Sequence, residues 1–321
     1  MTGQLVVAAA QSHLTYFQAI VMGVLQGITE LFPISSLGHS VLFPALFGWH
    51  NLVGVQSGGE SFFLAFVVGL HVGTAVALII YYRRTWWNLA GGLTTSVRDR
   101  SIAEPRQRLI WLIILATIPV GIVGLAFEHK LRTQFAKPLS AAIFLTINGV
   151  ILLGAEVLRR RSLANAGRLS APRGRHAKGA ATTAAASDED ATSFRRLDSF
   201  PLLRGIAVGC TQILALFAGI SRSGVTMASG IASGLDHEDA AEFSFLLATP
   251  VILAAGVLKI PDLFGTLGDG IRGQCFAGAA AAAVAAYLSV SFLVRWFKTR
   301  TLWPFGIYCL VVGGLCIIRF A

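Results

Sequence analysis

The sequence has little charge, no paired cysteines and no Lys or Arg before Arg83. Only 13% of its 321 residues are charged, whereas 55% are hydrophobic. This balance excludes an ordinary soluble domain and is typical of a chain that spans a membrane. A secretory signal peptide needs a basic start, so none is expected here.

Net charge and cysteine usage exclude two further classes of function. The formal net charge is +10, but the basic residues lie in short clusters between apolar runs and form no basic face with interleaved aromatic residues. No nucleic-acid partner is therefore expected, and the clusters instead predict orientation in the membrane. The four cysteines lie within apolar runs and lack metal or redox spacing, so they are expected to pack as small hydrophobic side chains.

Two related stretches, 186 residues apart, define the organisation of the chain. Gln26–His39 reads QGITELFPISSLGH, and Gln212–Thr226 reads QILALFAGISRSGVT. The same offset, 212 minus 26, also aligns Gly23 with Gly209, Ile34 with Ile220, Ser35 with Ser221 and Gly38 with Gly224. Both stretches interrupt apolar runs, and membrane proteins tolerate such breaks where they line a cavity or a site. The sequence therefore predicts a polar pocket within the membrane, built from two related breaks.

The apolar runs predict an all-α polytopic membrane protein that forms a single integral membrane domain, residues 1–321. The predicted spans are 62–82, 109–127, 141–158, 243–258, 276–294 and 302–320, and two re-entrant helical hairpins cover 16–49 and 205–235. Each half, 15–158 and 205–321, then contains one hairpin and three transmembrane helices. The odd number of spans predicts an inverted-topology repeat.

Two polar segments between the spans are assigned to the cytoplasm. Six arginines lie between residues 83 and 108, in what is predicted to be one loop, and the positive-inside rule places this loop inside. Residues 159–204 are rich in Ala, Arg, Ser and Gly and have little to bury. They are predicted to be a largely disordered linker between the two halves.

The predicted pocket carries the side chains of a phosphate site. The first hairpin contributes Gln26, Glu30, Ser35, Ser36 and His39, and the second contributes Gln212, Ser221, Arg222, Ser223 and Thr226. Arg222 precedes an apolar helical run, where free backbone N–H groups attract an anion and a guanidinium binds phosphate. Glu30 opposite it would hold a divalent cation such as Mg²⁺ that bridges phosphate oxygens.

Each of these residues also has a purely structural interpretation. Glu30 and Arg222 would form a buried ion pair that joins the halves, the serines would allow close helix packing, and His39 would be a hydrogen-bonded packing residue. Packing does not require an acid, a guanidinium, an imidazole and several hydroxyls at two duplicated breaks, so a functional site is the preferred interpretation. His71, in the middle of a span, is interpreted as a packing residue.

The first motif, QGITELFPISSLGH, resembles the E/Q-x-x-x-E motif and downstream Ser-Ser-x-Gly-His of the undecaprenyl-pyrophosphate phosphatases of the bacitracin-resistance type. The second, AGISRSGVT, is similar to the P-G-x-S-R-S-x-x-T motif of the same family, with Ala218 in place of the proline. The likeness continues through EFSFLLATP and covers most of the chain apart from the linker.

The resemblance implies hydrolysis of undecaprenyl pyrophosphate to undecaprenyl phosphate and inorganic phosphate. This reaction recycles the lipid carrier of cell-wall (peptidoglycan) synthesis and confers resistance to bacitracin, which competes indirectly by binding the substrate. It also implies a multi-pass protein of the bacterial plasma membrane whose site faces outside. The expected cation is Mg²⁺, with Ca²⁺ as the alternative.

Carried over by position, the resemblance assigns roles to individual residues. The catalytic set is Glu30, Ser36, His39 and Arg222, and the phosphate-binding set is Ser221, Arg222, Ser223, Gly224 and Thr226. Gln26 is the neutral option of its motif, so Glu30 is the expected carboxylate ligand of the metal, and Gln26, Ser35 and Gln212 line the pocket. Ser36, His39 and water remain open as the attacking group.

A transporter or lipid flippase is the rival function, because inverted repeats are a carrier architecture. A homodimer is left open.

Overall fold

The structure is a computed structural model that describes residues 14–49, 52, 62–135, 137–170, 197–265 and 269–321. These residues form eleven α-helices. They are α1 (Tyr16–Thr29), α2 (Ser36–Leu46), α3 (Phe62–Tyr81), α4 (Arg83–Asp99), α5 (Pro105–Phe135), α6 (Pro138–Ser170), α7 (Leu202–Cys210), α8 (Arg222–Ala232), α9 (His237–Phe264), α10 (Arg272–Phe297) and α11 (Trp303–Phe320).

Five of the helices, α5, α6, α9, α10 and α11, are long and apolar enough to cross a membrane. Helix α3 is a sixth candidate when it is taken together with α4, from which it is separated by an 82° bend. The predicted all-α, multi-pass architecture is therefore confirmed; α5, α6, α9 and α10 extend beyond their predicted bounds, whereas α11 matches its prediction to within one residue. The extra turns are polar ends, such as Pro105–Arg108 in α5, which an apolar pattern cannot delimit.

The predicted cytoplasmic loop between residues 83 and 108 is mostly helical, because its first part forms α4. This helix buries Leu89, Gly92 and Ser96 on one face, and Trp111 of α5 donates a hydrogen bond to the Ser96 hydroxyl at 3.0 Å. On its opposite face Trp87 is 82% exposed. The prediction of a loop was wrong here because the arginines at both ends of the segment obscured a short amphipathic helix.

Both ends of the predicted 159–204 linker belong to helices or dock on them. Helix α6 continues to Ser170, so residues 159–170 are helical, and α7 begins at Leu202. Between these helices, Leu197 and Phe200 are buried, and the Leu197 N–H donates to the Asp239 carboxylate at 3.0 Å. The predicted disorder was wrong for these ends, since sparse apolar residues anchor them, and residues 171–196 lie outside the described part of the chain.

Both predicted hairpins are broken where the sequence places glycine, proline and serine. Helix α1 ends at Thr29 and α2 begins at Ser36; α7 passes into a 3₁₀ helix, Thr211–Leu216, and α8 begins at Arg222. Helices α2 and α8 have eleven residues each, and their first residues are 186 apart, 222 minus 36. The first residues of α1 and α7 are also 186 apart, 202 minus 16.

Each hairpin packs against a span from the other half of the chain. Helix α1 lies along α10, and α7 lies along α5. The first of these contacts requires glycine, because a Cβ atom added at Gly23 would lie 2.2 Å from the Gly278 carbonyl oxygen. This exchange of partners brings the breaks of the two hairpins together in the middle of the protein.

Candidate active site

The two breaks touch each other and are shaped by serine caps. The Ser35 hydroxyl accepts a hydrogen bond from the Gly38 N–H at 3.1 Å and caps α2, and Ser221 caps α8 through the Gly224 N–H at 3.0 Å. A Cβ atom added at Gly38 would lie 2.9 Å from the Cα of Gly219, whose φ of +111° favours glycine. Backbone contact between the breaks therefore depends on the two glycines.

A buried cluster of polar side chains is centred on Glu30, at the end of α1. Its Oε1 accepts a hydrogen bond from the Arg222 guanidinium at 3.0 Å. Its Oε2 accepts one from the Ser36 hydroxyl, lies 3.0 Å from the donating Gln26 amide and is 3.2 Å from His71 Nε2. Glu30 is 6% exposed, so the carboxylate is held by four side chains rather than by bulk water.

Arg222 connects this cluster to helix α9. One nitrogen of its guanidinium donates to Glu30, and another donates to the Ser244 carbonyl at 3.2 Å. The side chain is 11% exposed, so the guanidinium is fixed in position yet reachable from a cavity. A guanidinium anchored in this way offers its remaining N–H groups to an anion.

The cluster lies at the polar end of a cavity of about 380 Å³. The polar end is lined by Glu30, Ser35, Ser36, His71, Gln212, Ser221 and Arg222. The apolar end lies between α5 and α9 and is lined by Gly121, Gly124, Leu125, Ala254, Ala255 and Leu258, with Lys259 beside them. Leu258 is fourteen residues beyond Ser244 (258 minus 244), about 21 Å along α9, so the two ends are well separated.

Of the predicted site residues, Glu30, Ser35, Ser36, Gln212, Ser221 and Arg222 line this cavity together. Three residues of the predicted phosphate-binding set, Ser223, Gly224 and Thr226, do not line it. Ser223 bonds to the Ser221 hydroxyl at 3.0 Å and donates to the Phe32 carbonyl at 3.3 Å, and Thr226 donates to the Arg222 carbonyl at 2.8 Å. Ser223 and Thr226 are fully buried, and Gly224 serves as the backbone partner of the Ser221 cap.

His39 and Gln26 do not line the cavity either. The Nδ1 of His39 is 2.7 Å from the Ser35 carbonyl, and its Nε2 is 2.8 Å from the Tyr308 hydroxyl of α11. His39 is thus held one helical turn from Ser36, on the side that faces α11. The Gln26 amide donates a hydrogen bond to the Glu30 carboxylate from outside the cavity.

The imidazole that touches Glu30 belongs to His71, which the sequence analysis interpreted as a packing residue. The Nδ1 of His71 is 2.8 Å from the Val67 carbonyl, which leaves Nε2 directed at Glu30. Its position in mid-span was a usable signal, because ionisable residues within spans usually serve a site. Ser244, Tyr308 and Asn148 were also missed, since a single polar residue in an apolar run does not reveal its partner.

The side chains around Glu30 offer few ligands to a divalent cation. In the described residues, no three His, Cys, Asp or Glu side chains come together as a metal cluster. Mg²⁺ is usually held by one or two carboxylates together with phosphate oxygens of the substrate. Glu30, with the Ser36 hydroxyl beside it, therefore fits a cation shared with a bound phosphate, and does not fit a cage formed by protein alone.

Comparisons with known proteins agree with this geometry. The sequence profile of the family described as bacitracin resistance protein BacA matches residues 19–315. Undecaprenyl-diphosphatase 2 of Frankia alni is 54% identical, covering 96% of this chain and 99% of that protein. The undecaprenyl-diphosphatases of Mycolicibacterium paratuberculosis and Mycobacterium avium are 52% and 51% identical, and each match covers 97% of this chain and 99% of the relative. This chain therefore belongs to the BacA family.

Proposed function

We propose that this protein hydrolyses undecaprenyl pyrophosphate to undecaprenyl phosphate and inorganic phosphate. The observation that carries the proposal is the Glu30–Arg222 pair, with Ser36 beside it, at the polar end of a cavity whose other end is apolar. Relatives of more than 50% identity bear the name of this activity. The reaction recycles the lipid carrier of cell-wall synthesis, and a larger supply of the carrier confers bacitracin resistance.

Arg222 binds the pyrophosphate in this proposal. It presents its guanidinium at the first residue of α8, where backbone N–H groups and the positive end of the helix dipole also favour an anion. Negative charge that develops on the phosphoryl oxygens is stabilised by groups that are already in place, so little reorganisation is needed during the reaction. Ser221, in the same turn, lines the cavity beside it.

Ser36 and Glu30 provide the chemistry of attack. Ser36 already donates its hydroxyl hydrogen to the Glu30 carboxylate, which is the arrangement of a nucleophile with a base. If Ser36 attacks, its oxygen bonds to the terminal phosphorus, the bond from phosphorus to the bridging oxygen breaks, Glu30 takes the proton, and water later cleaves the phosphoserine. If water attacks directly, Glu30 or His71 takes its proton and no covalent intermediate forms. His39 remains the third candidate for the attacking group, and its imidazole would have to break its contact with the Tyr308 hydroxyl to act.

We also propose that the reaction uses a divalent cation, Mg²⁺ first and Ca²⁺ as the alternative. Glu30 would hold the cation from the protein side, with the remaining ligands supplied by the substrate phosphates and water. When bound, such an ion neutralises charge on the phosphate oxygens. The Glu30 carboxylate and the Ser36 hydroxyl lie on the side of the cluster that borders the cavity.

The apolar end of the cavity is suited to the first isoprene units of the lipid. Gly121 and Leu125 of α5 and Ala254 and Leu258 of α9 line the cavity and are also exposed on the protein surface. A Cβ atom added at Gly121 would meet nothing within 4 Å, so the gap between the helices is open there. The prenyl chain therefore leaves the site between α5 and α9 and continues in the bilayer.

The inverted-topology repeat is part of the proposal. It is supported by the shared offset of 186 residues between α1 and α7 and between α2 and α8, and by the serine caps at equivalent positions. It is also supported by the exchange of packing partners between the halves. Two copies of opposite orientation bring their broken helices to the same depth from opposite faces.

The protein is proposed to lie in the bacterial plasma membrane with its site open to the outside. The arginine-rich helix α4 directly precedes α5, so the beginning of α5 is cytoplasmic by the positive-inside rule. The cavity is lined by residues from the middle and second half of α5 and from the second half of α9, away from the beginnings of these helices. Its opening therefore lies on the outer side.

The function is tested with purified protein, Mg²⁺ and undecaprenyl pyrophosphate, by measuring the release of inorganic phosphate. Wild type is expected to release phosphate, and Arg222→Ala to lose most of this activity. Arg204→Ala is the matched control, because Arg204 is an exposed arginine of the same hairpin whose contact is the Ser233 carbonyl. Equal release by wild type and Arg222→Ala would reject the site. Movement of the head group across liposomes without phosphate release would instead favour a flippase.

A further inference from the structure

Asn148 connects the two breaks although it belongs to neither hairpin. It lies in the first half of α6 and is fully buried. Its amide nitrogen donates to the Pro33 carbonyl at 2.9 Å and to the Cys309 Sγ of α11 at 3.4 Å, and its amide oxygen accepts from the Ser221 N–H at 3.0 Å. We infer that Asn148 is a positioning residue of the proposed hydrolysis, and that its single amide sets the separation of Glu30 and Arg222.

The two backbone groups that Asn148 satisfies are products of the breaks. Pro33 lies in the turn after α1, and Ser221 is the residue that caps α8, so the Pro33 carbonyl and the Ser221 N–H fall outside the helical hydrogen-bond pattern. Buried in apolar surroundings, an unpaired group of this kind is costly. A side chain that donates and accepts at once is needed here, and an amide does both from two separate atoms.

The position of the Asn148 amide directly affects the positions of the two reacting groups. Pro33 is three residues from Glu30, and Ser221 immediately precedes Arg222. A change in the spacing of the Pro33 carbonyl and the Ser221 N–H therefore moves the carboxylate relative to the guanidinium. A misplacement of about 1 Å can lower the rate about 100-fold.

The other contacts between the breaks are less able to fix this spacing during turnover. The Glu30–Arg222 ion pair consists of the two groups that contact the substrate in the proposed reaction, so it does not fix their spacing independently of the substrate. The hydrogen bond from the Ser223 hydroxyl to the Phe32 carbonyl is longer, at 3.3 Å. Asn148 does not line the cavity, so its two bonds remain when the substrate enters.

Two substitutions test the inference. Asn148→Leu keeps the branching of the side chain and removes both bonds between the breaks, and we expect kcat per folded molecule to fall about 10- to 100-fold. Asn148→Asp keeps both bonds while its carboxyl is neutral, because the acid O–H donates to Pro33 and its carbonyl accepts from Ser221. Because both bonds are kept, Asn148→Asp should retain a kcat close to that of wild type where Asn148→Leu does not.

The matched control is Thr146→Val. Thr146 lies two residues away on the same helix, and its hydroxyl bonds only within that helix, to the Ala142 carbonyl at 3.0 Å. This variant should keep the kcat of wild type. Tryptophan fluorescence and thermal unfolding report whether the variants remain folded, which separates a positional effect from a loss of folded protein.

The outcomes distinguish this inference from the function on which it rests. If wild type releases no phosphate, the proposed function fails. If wild type is active, and Asn148→Asp is as impaired per folded molecule as Asn148→Leu, the positioning role is rejected. A wild-type kcat per folded molecule for Asn148→Leu rejects it as well, and if Asn148→Leu does not fold, Asn148→Ala, which also lacks both bonds, takes its place in this comparison.

Discussion

Replacing Arg222 with methionine should separate the catalytic value of the Glu30–Arg222 pair from its structural value. The two groups are 3.0 Å apart, and their side chains are 6% and 11% exposed. Removing one partner of a buried pair costs about 3–5 kcal/mol, because the other charge is left uncompensated. Since Glu30 keeps hydrogen bonds from Gln26 and Ser36 and a contact with His71, we expect the lower end, about 3 kcal/mol.

The double variant Glu30→Gln/Arg222→Met removes both charges. Its free energy of unfolding should return close to that of wild type, so the double variant should be more stable than Arg222→Met by about 3 kcal/mol. Activity should not return. The loss of a group that stabilises phosphoryl charge lowers kcat about 100- to 1000-fold, and this loss should persist in the double variant.

Denaturant unfolding in mixed micelles, followed by tryptophan fluorescence, measures the stability, and phosphate release measures the activity. Arg98→Met is the control, because the Arg98–Asp99 pair is 76% and 50% exposed and should contribute little. If the double variant recovered wild-type kcat, the ion pair would contribute to stability and not to catalysis. If Arg222→Met were as stable as wild type, the ion pair would have no energetic role in the fold.

Three further predictions concern the rest of the site. His71→Asn should lower kcat by about 100-fold if the imidazole beside Glu30 moves a proton, and the same measurement on His39→Asn decides which of the two imidazoles serves the reaction. Gly124→Leu, which fills the gap between α5 and α9, should lower kcat/KM for undecaprenyl pyrophosphate far more than for isopentenyl pyrophosphate. Ala280→Leu, in the apolar groove between α1 and α10, should leave the ratio of the two kcat/KM values unchanged. A fall of this ratio in Ala280→Leu but not in Gly124→Leu would place the prenyl chain in that groove. Chelation with EDTA should abolish phosphate release and added Mg²⁺ should restore it; full activity in EDTA would exclude the proposed cation.

The duplicated motifs made the centre of the site predictable from the sequence. Glu30, Ser36 and Arg222 meet because each lies at the break of an apolar run, and breaks at membrane depth have few other uses. Helix α4 was not predicted, since arginines dominate the composition of its ends. The ordered ends of the linker were not predicted for a related reason, because single apolar residues such as Leu197 anchor them.

The supporting residues were harder to predict because their roles depend on distant partners. Ser223 and Thr226 share a motif with Arg222, but the turn of α8 directs them into the protein, where they satisfy backbone carbonyls. His71 and Asn148 show the converse, since nothing near them in the sequence indicates Glu30 or Pro33. Only the packing of α3 and α6 against the breaks reveals these contacts.

The contribution of both halves to one centre has a consequence for biosynthesis. While only the first half has been inserted, Glu30 has no guanidinium and the Asn148 amide oxygen has no Ser221 N–H to accept from. The proposed site is therefore incomplete until the second hairpin enters the bilayer. A chain that ends before Arg222 leaves the Glu30 carboxylate with only the Gln26, Ser36 and His71 contacts of its own half, and an ionisable group at membrane depth is costly.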